Sequence, residues 1–109
     1  MKRVEYVDGS FLTSDAVANA LLELVAFLGR NDEARVVHIP SVEKDGSVTI
    51  IDLVIGPASQ MRARVEPSDA PDPDFADAVN ALTALSHLTG PSHPLPERGP
   101  ANPDWTPEP

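Results

Sequence analysis

The stretch from Ser14 to Arg30 reads as a helix that is apolar around most of its circumference. At about 100° per residue, one narrow stripe of this helix is polar: Asp15, Asn19, Glu23 and Arg30. The remainder is mostly apolar: Val17, Leu21, Leu22, Leu24, Val25, Phe27 and Leu28. Since an ordinary surface helix buries one stripe, this one must bury two faces. We expect a second helix of the same chain, or a second copy of the protein, to cover the extra face.

Length and composition predict one small folded domain. With 109 residues, of which 41% are hydrophobic, the chain can build a modest core filled by Leu, Val, Ile and Ala. It has no cysteine, which excludes disulfides, thiol nucleophiles and thiolate metal sites. Neither a signal peptide nor an apolar run near the roughly 18 residues of a membrane helix is visible. We therefore expect a cytoplasmic protein with no membrane partner.

The formal net charge of −9 argues against a nucleic-acid partner, because phosphate binding needs clustered Lys and Arg. The charge is unevenly distributed along the chain. Residues 1–66 hold seven basic and ten acidic side chains, whereas residues 67–109 hold one basic and seven acidic. Such charge mainly promotes solubility. A sharper alternative, which rests on charge alone, is an acidic inhibitor that blocks a basic or nucleic-acid-binding partner.

Hydrophobic periodicity and turn signals predict the element order β-α-β-β-β-α. The second helix is expected to begin with Asp72 as its N-cap and to stop at Gly90. We expect the α+β class, with two layers, a four-stranded mixed sheet and both helices on one face. Residues 1–90 would form the single domain. Residues 91–109, which contain seven prolines, would form a Pro-rich acidic C-terminal tail.

The expected strand register follows from the Asp45-Gly46 dipeptide, a strong signal for a two-residue hairpin loop. In that register His38 lies opposite Leu53, and a second turn over residues 56–59 places Leu53 beside Arg62. One sheet face then forms the floor of the core: Val37, Ile39, Ile50, Val54, Met61 and Val65. The other face is apolar with two arginines at its side: Val36, His38, Ile51, Leu53, Ile55, Arg62 and Arg64. A one-residue error in either loop would exchange the two faces.

That second face is too apolar to remain in water. Exposing Ile51, Leu53 and Ile55 would forfeit about 1.5–3 kcal/mol each, and an apolar patch beside arginines is typical of an interface. Either the tail covers this face, folded back with Leu95 and Trp105 on it, or a second subunit does. The two combine if the subunits exchange their tails. Burial at the centre of the sheet is the plainer alternative. The interface candidates are Leu22, Val25, Val36, His38, Ile51, Leu53, Ile55, Arg62, Arg64, Leu95 and Trp105.

Candidate catalytic or ligand-binding residues are few. The spacing of the three histidines matches no metal-binding motif, and neither a phosphate loop (GxxxxGK followed by Ser or Thr) nor a GxGxxG pattern occurs. We expect neither a metal nor another cofactor. Asp52 interrupts an apolar strand, where a carboxylate needs either a salt bridge or a role in a pocket. In the expected register His38 and Asp52 lie on opposite faces. A three-residue loop, over residues 44–46 or 45–47, would instead put them diagonally on one face and create a candidate pocket.

These patterns favour a non-enzymatic protein–protein interaction module that forms a homodimer through its surplus apolar surface. The sequence assigns it no catalytic residue and no cofactor. The first alternative is a small-ligand-binding protein or minor enzyme with a pocket near Asp52 and His38. The second is the acidic inhibitor described above.

Overall fold

The chain runs β-β-α-β-β-β-α through residues 1–88, the part that this computed structural model describes, together with the side chains of residues 1–86. Its helices are α1 (Asp15–Asn31) and α2 (Ala76–Leu88). Its strands are β1 (Lys2–Tyr6), β2 (Gly9–Thr13), β3 (Arg35–Val42), β4 (Val48–Ile55) and β5 (Arg62–Val65). The α+β class is confirmed.

The strands form two antiparallel sheets rather than the single mixed sheet that the element order predicted. One sheet has the order β2-β1-β5, and the other is the β3–β4 hairpin. Strand β2 contacts β3, but no ladder joins them. The expected four-stranded mixed sheet is wrong for two reasons. The chain doubles back after β1 to form β2, and β5 pairs with β1 instead of β4.

Strand β2 is missing from the expected element order, because residues 8–10 read as a turn. The chain turns over residues 7–8 and returns at once, so that Val4 pairs with Phe11. Phe11 is buried, and its ring centroid lies 6.0 Å from that of Tyr6. The β-forming Phe-Leu-Thr run after residues 8–10 is the sequence signal for this strand.

The chain between β3 and β4 turns through a three-residue loop, residues 44–46, which the bonded residues Glu43 and Ser47 close, so the expected two-residue loop is wrong. The N–H of Glu43 donates to the carbonyl oxygen of Ser47 (2.8 Å), and Gly46 takes a left-handed conformation with φ of 88°. The carboxylate of Asp45 accepts hydrogen bonds from the N–H and the hydroxyl of Ser47. A type I′ two-residue loop would need a positive φ at Asp45 as well, which Asp45 does not have.

The observed loop moves the β3–β4 register by one residue. His38 lies directly opposite Asp52, neither on the other face nor diagonal to it, and Ile39 lies opposite Ile51. Because side chains alternate along a strand, every residue of β4 points to the side opposite to the one expected.

The core is built around α1. This helix contributes Val17, Ala18, Leu21, Leu24 and Leu28 to it. The strands contribute Val4, Phe11, Val37, Ile39 and Ile55, and α2 contributes Leu82. A second helix of the same chain, α2, packs against α1. Leu22 and Val25 of α1 are half-buried in this arrangement.

Two side chains accept hydrogen bonds from the first backbone N–H groups of α1. Ser14 is the N-cap, and its Oγ accepts from the N–H of Val17 (3.1 Å). Asp72, which was expected to cap α2, accepts from the N–H of Asp15 (3.1 Å). Its predicted role as the N-cap of α2 is wrong, because α2 begins only at Ala76.

We expect Thr13→Val to stabilise the protein. Thr13 is fully buried, and no group among the described residues accepts from or donates to its Oγ1. Since an unpartnered buried hydroxyl costs stability, the substitution should raise the free energy of unfolding by about 1 kcal/mol in urea denaturation. Thr83→Val, at an exposed position of α2, is the matched control and should change it by less than about 0.5 kcal/mol. A Thr13→Val protein no more stable than the parent would contradict this prediction.

Candidate functional site

The face of the β3–β4 hairpin that points away from the core is apolar and largely exposed. We call it the outer hairpin face. Its exposed members are Val36, His38, Val48, Ile50, Asp52 and Val54, and its remaining member, Pro40, is buried. Three of its aliphatic side chains are more exposed than buried: Val36 at 56%, Ile50 at 62% and Val54 at 73%. Aliphatic side chains gathered on one exposed face are typical of an interaction surface.

The sequence placed the exposed face on the wrong side of β4. Ile55 is fully buried, and Ile51 and Leu53 are half-buried against the core, so their predicted exposure is wrong. Ile50 and Val54, expected in the floor of the core, are exposed instead. The three-residue loop is the cause, since a shift of one residue exchanges the two faces of a strand.

The residues predicted from β3 are where the sequence placed them. Val36 and His38 are exposed and neighbour each other on the outer hairpin face. Alternation within β3 alone determines this, because Val37 and Ile39 belong to the core.

The two arginines predicted beside this face lie on the other sheet. Because β5 pairs with β1, Arg62 and Arg64 approach Glu5, with Nε–Oε distances of 2.5 Å and 3.4 Å. Next to them, Arg3 donates two hydrogen bonds to Glu66 (2.7 and 2.9 Å). Their predicted position beside β4 is wrong, since it assumed that β4 and β5 pair.

His38 and Asp52 meet at the centre of the outer hairpin face. Nδ1 of the imidazole lies 2.6 Å from Oδ1 of the carboxylate, and both side chains are about two-thirds exposed (67% and 69%). Pairs in an antiparallel ladder alternate between hydrogen-bonded and non-hydrogen-bonded. Counted from the bonded Glu43–Ser47 pair, His38 and Asp52 form a non-hydrogen-bonded pair, in which side chains approach most closely. The carboxylate that interrupts β4 thus has a partner.

A hollow of about 470 Å³ lies between the outer hairpin face and the start of α2. His38, Pro40 and Ile50 form its hairpin side, and Phe75 and Asp77 stand on its α2 side. With Nδ1 engaged by the carboxylate, Nε2 is the imidazole nitrogen left to contact a ligand. None of the described residues that line the hollow carries a hydroxyl, thiol or amine, so the lining offers no such nucleophile.

Neither a metal site nor a membrane-spanning helix is found in the part of the chain that the structure describes. Among the side chains of residues 1–86, no group of three or more His, Cys, Asp or Glu is arranged to hold a metal ion. Within the same described part of the chain, neither helix is long and apolar enough to cross a membrane. Two of the predicted interface residues, Leu95 and Trp105, lie outside the described residues.

Comparisons with known proteins return no match. No protein-family model matches the chain, and neither a curated protein nor a solved structure is significantly similar to it.

The paired carboxylates of the three-stranded sheet should make the fold sensitive to acid. The hydrogen bonds from Arg3 hold the pKa of Glu66 below its ordinary value of 4.5, and the hydrogen bond from Arg62 lowers the pKa of Glu5. A carboxyl group whose pKa is lower in the folded state stabilises the fold above its unfolded pKa. That contribution is lost as the pH falls through the folded pKa.

We therefore expect the free energy of unfolding to decline as the pH falls below about 4.5. Glu66→Gln should make this decline shallower, because the neutral amide does not change its charge with pH. Urea denaturation at a series of pH values between about 6 and about 3 measures both profiles. Glu23→Gln, at an exposed position of α1, is the matched control and should keep the parent profile. A profile of Glu66→Gln identical to that of the parent would contradict the prediction.

Proposed function

We propose that this chain is a non-enzymatic protein–protein interaction module that works as a homodimer. Its contact surface lies on the β3–β4 hairpin and includes the outer hairpin face. The observation that carries the proposal is the exposure of Val36, Ile50 and Val54 on one face around the His38–Asp52 pair.

The energetic cost of leaving this face in water supports the proposal. Burying a Val or Ile side chain is worth about 1.5–3 kcal/mol relative to exposing it. A small domain has a net stability of only about 5–15 kcal/mol. Three such side chains on one face therefore represent a large share of that stability. Surfaces of this kind are found where a partner covers them.

The His38–Asp52 pair supplies a polar feature at the centre of the apolar face. Covering a carboxylate that already has a partner costs less than covering an unpaired one. The pair therefore does not oppose association in the way that a lone Asp52 would. A single polar pair in an apolar contact also restricts the orientations in which two partners fit.

Sedimentation velocity of the full chain tests the proposal, and we expect a dimer. Val54→Asp places a charge on the outer hairpin face and should weaken dimerisation by at least about tenfold. Val65→Asp is the matched control, because Val65 is similarly exposed (69% against 73%) but lies on β5. It should leave the dimer intact. Thermal melts followed by circular dichroism check that both variants fold.

Two results would overturn the proposal. A parent chain that stays monomeric across the concentration range would remove the homodimer. A dimer that withstands Val54→Asp as well as it withstands Val65→Asp would remove the outer hairpin face as its contact surface.

The His38–Asp52 contact favours a second candidate, the binding of a small ligand in the hollow beside α2. An apolar hollow with a few convergent polar groups is the usual form of a ligand site. Fragment screening by NMR tests it: binders should shift the signals of His38 and Phe75 and bind at least about tenfold more weakly to His38→Ala. Val36→Ala, outside the lining, should bind as the parent does. A screen that moves neither signal would count against this candidate.

A further inference from the structure

We propose that two copies of the chain join along the free edge of β4, which converts the two β3–β4 hairpins into one four-stranded antiparallel sheet with Ile51 on the two-fold axis. This inference rests on the proposed homodimer and adds to it the strands that pair, their register and the position of the axis.

The backbone groups that such a contact needs are unpaired within the chain. Strand β4 has β3 on one side and, among residues 1–88, no strand on the other. Hydrogen-bonded and non-hydrogen-bonded pairs alternate in an antiparallel ladder. Counted from the bonded Glu43–Ser47 pair, Ile51 bonds to β3. The N–H and C=O groups that point to the free edge belong to Val48, Ile50, Asp52 and Val54.

The free edge of β5 is protected against pairing, and that of β4 is not. Strand β5 is four residues long, and its Arg62 and Arg64 side chains are exposed. Short strands and charged side chains are the means by which proteins block edges. Strand β4 is eight residues long and carries no Pro, no Lys and one charged side chain, Asp52. Its edge is therefore open to another strand.

The side chains of β4 that face the core are less completely buried than their partners on β3. Val37 and Ile39 of β3 are 2% and 0% exposed, whereas their partners Leu53 and Ile51 are only half-buried and Thr49 is exposed. A strand added to the edge of β4 would cover side chains on both faces of the hairpin. A protein that covered the outer hairpin face alone would leave Ile51 and Leu53 as they are. Burial therefore favours a partner whose contact with the hairpin includes the edge of β4.

Hydrogen-bond geometry and charge select the register. The N–H and C=O groups at the free edge of one copy must bond to those at the free edge of the other, and in β4 these groups belong to every second residue. The two-fold axis therefore passes through a residue rather than between two residues. An axis at Asp52 would set two carboxylates directly opposite each other, which is unfavourable. An axis at Ile51 pairs Ile50 with the partner's Asp52 and Val48 with the partner's Val54. Axes further from the middle of the strand shorten the overlap.

A second copy fits this edge better than the chain's own C-terminal residues do. A strand added to β4 has to be apolar on both faces, which requires apolar residues at consecutive positions. Residues 89–109 contain Leu95, Ala101 and Trp105, and no two hydrophobic residues follow each other there. Strand β4 itself has consecutive apolar residues in both halves, which makes it its own best partner.

Disulfide trapping in the full chain tests the geometry, and the absence of cysteine in the parent removes any background. In Ile51→Cys, facing Cα atoms about 4.5 Å apart lie within the roughly 4.4–6.8 Å that a disulfide spans. Mild oxidation with diamide should therefore yield covalent dimer on a non-reducing gel. Ile50→Cys and Asp52→Cys are the matched controls. Their diagonal separation of about 7–8 Å should leave them monomeric on the same gel.

A second pair of variants tests the edge without a covalent bond. Proline is tolerated in an edge strand where its missing N–H faces away from the ladder, which describes position 50 within one chain. Ile50→Pro should leave the melting temperature of the monomer near that of Ile50→Thr. It should nevertheless weaken the dimer at least about tenfold more in sedimentation, because it removes an N–H that faces the partner strand.

Each outcome has a distinct meaning. A parent chain that is monomeric in sedimentation overturns the homodimer and this arrangement together. A dimeric parent that gives no covalent dimer in Ile51→Cys, and whose Ile50→Pro and Ile50→Thr variants dimerise equally, overturns the edge contact but leaves the homodimer standing. Faster trapping of Asp52→Cys than of Ile51→Cys overturns the register.

Discussion

The hydrogen bonds of the turn from Glu43 to Ser47 determine which side of the β3–β4 hairpin faces the core. The left-handed conformation of Gly46 and the acceptor at Asp45 set a loop of three residues. That loop length places Ile51 and Ile55 inward and leaves Ile50 exposed. Because side chains alternate, the composition of the exposed face, and with it the candidate interaction surface, depends on this one turn.

The pairing of β3 with β4 also explains why a proline is tolerated at position 40 and why the two sheets are separate. Pro40 occupies a non-hydrogen-bonded pair with Ile50, so the N–H that it lacks would have pointed away from β4, towards β2. A missing donor on that side disfavours a continuous ladder between β2 and β3, and the two strands are in contact without forming one. The hairpin thus ends its sheet at β4, which is apolar at most of its positions.

Much of the local structure could be predicted from the sequence. The apolar excess of α1 indicated that more than one element covers it, and α2 of the same chain packs against this helix. The alternation within β3 correctly placed Val36 and His38 on the exposed side. Strand β2 was missed because residues 8–10 favour a turn and β2 is only five residues long. The pairing of β5 with β1 was missed for a different reason. The two strands are far apart in the sequence, and local patterns carry no information about such a pairing.

The amino-acid sequence by itself determined that one strand near the middle of the chain would be apolar on both faces, interrupted by a single carboxylate. It also determined that His38 and Asp52 would belong to neighbouring strands. Only the tertiary structure decided that these two side chains meet and which aliphatic residues lie around them. The physical reason is that a strand has a period of two residues. A turn one residue longer therefore exchanges its faces, and an Asp-Gly dipeptide is compatible with both loop lengths.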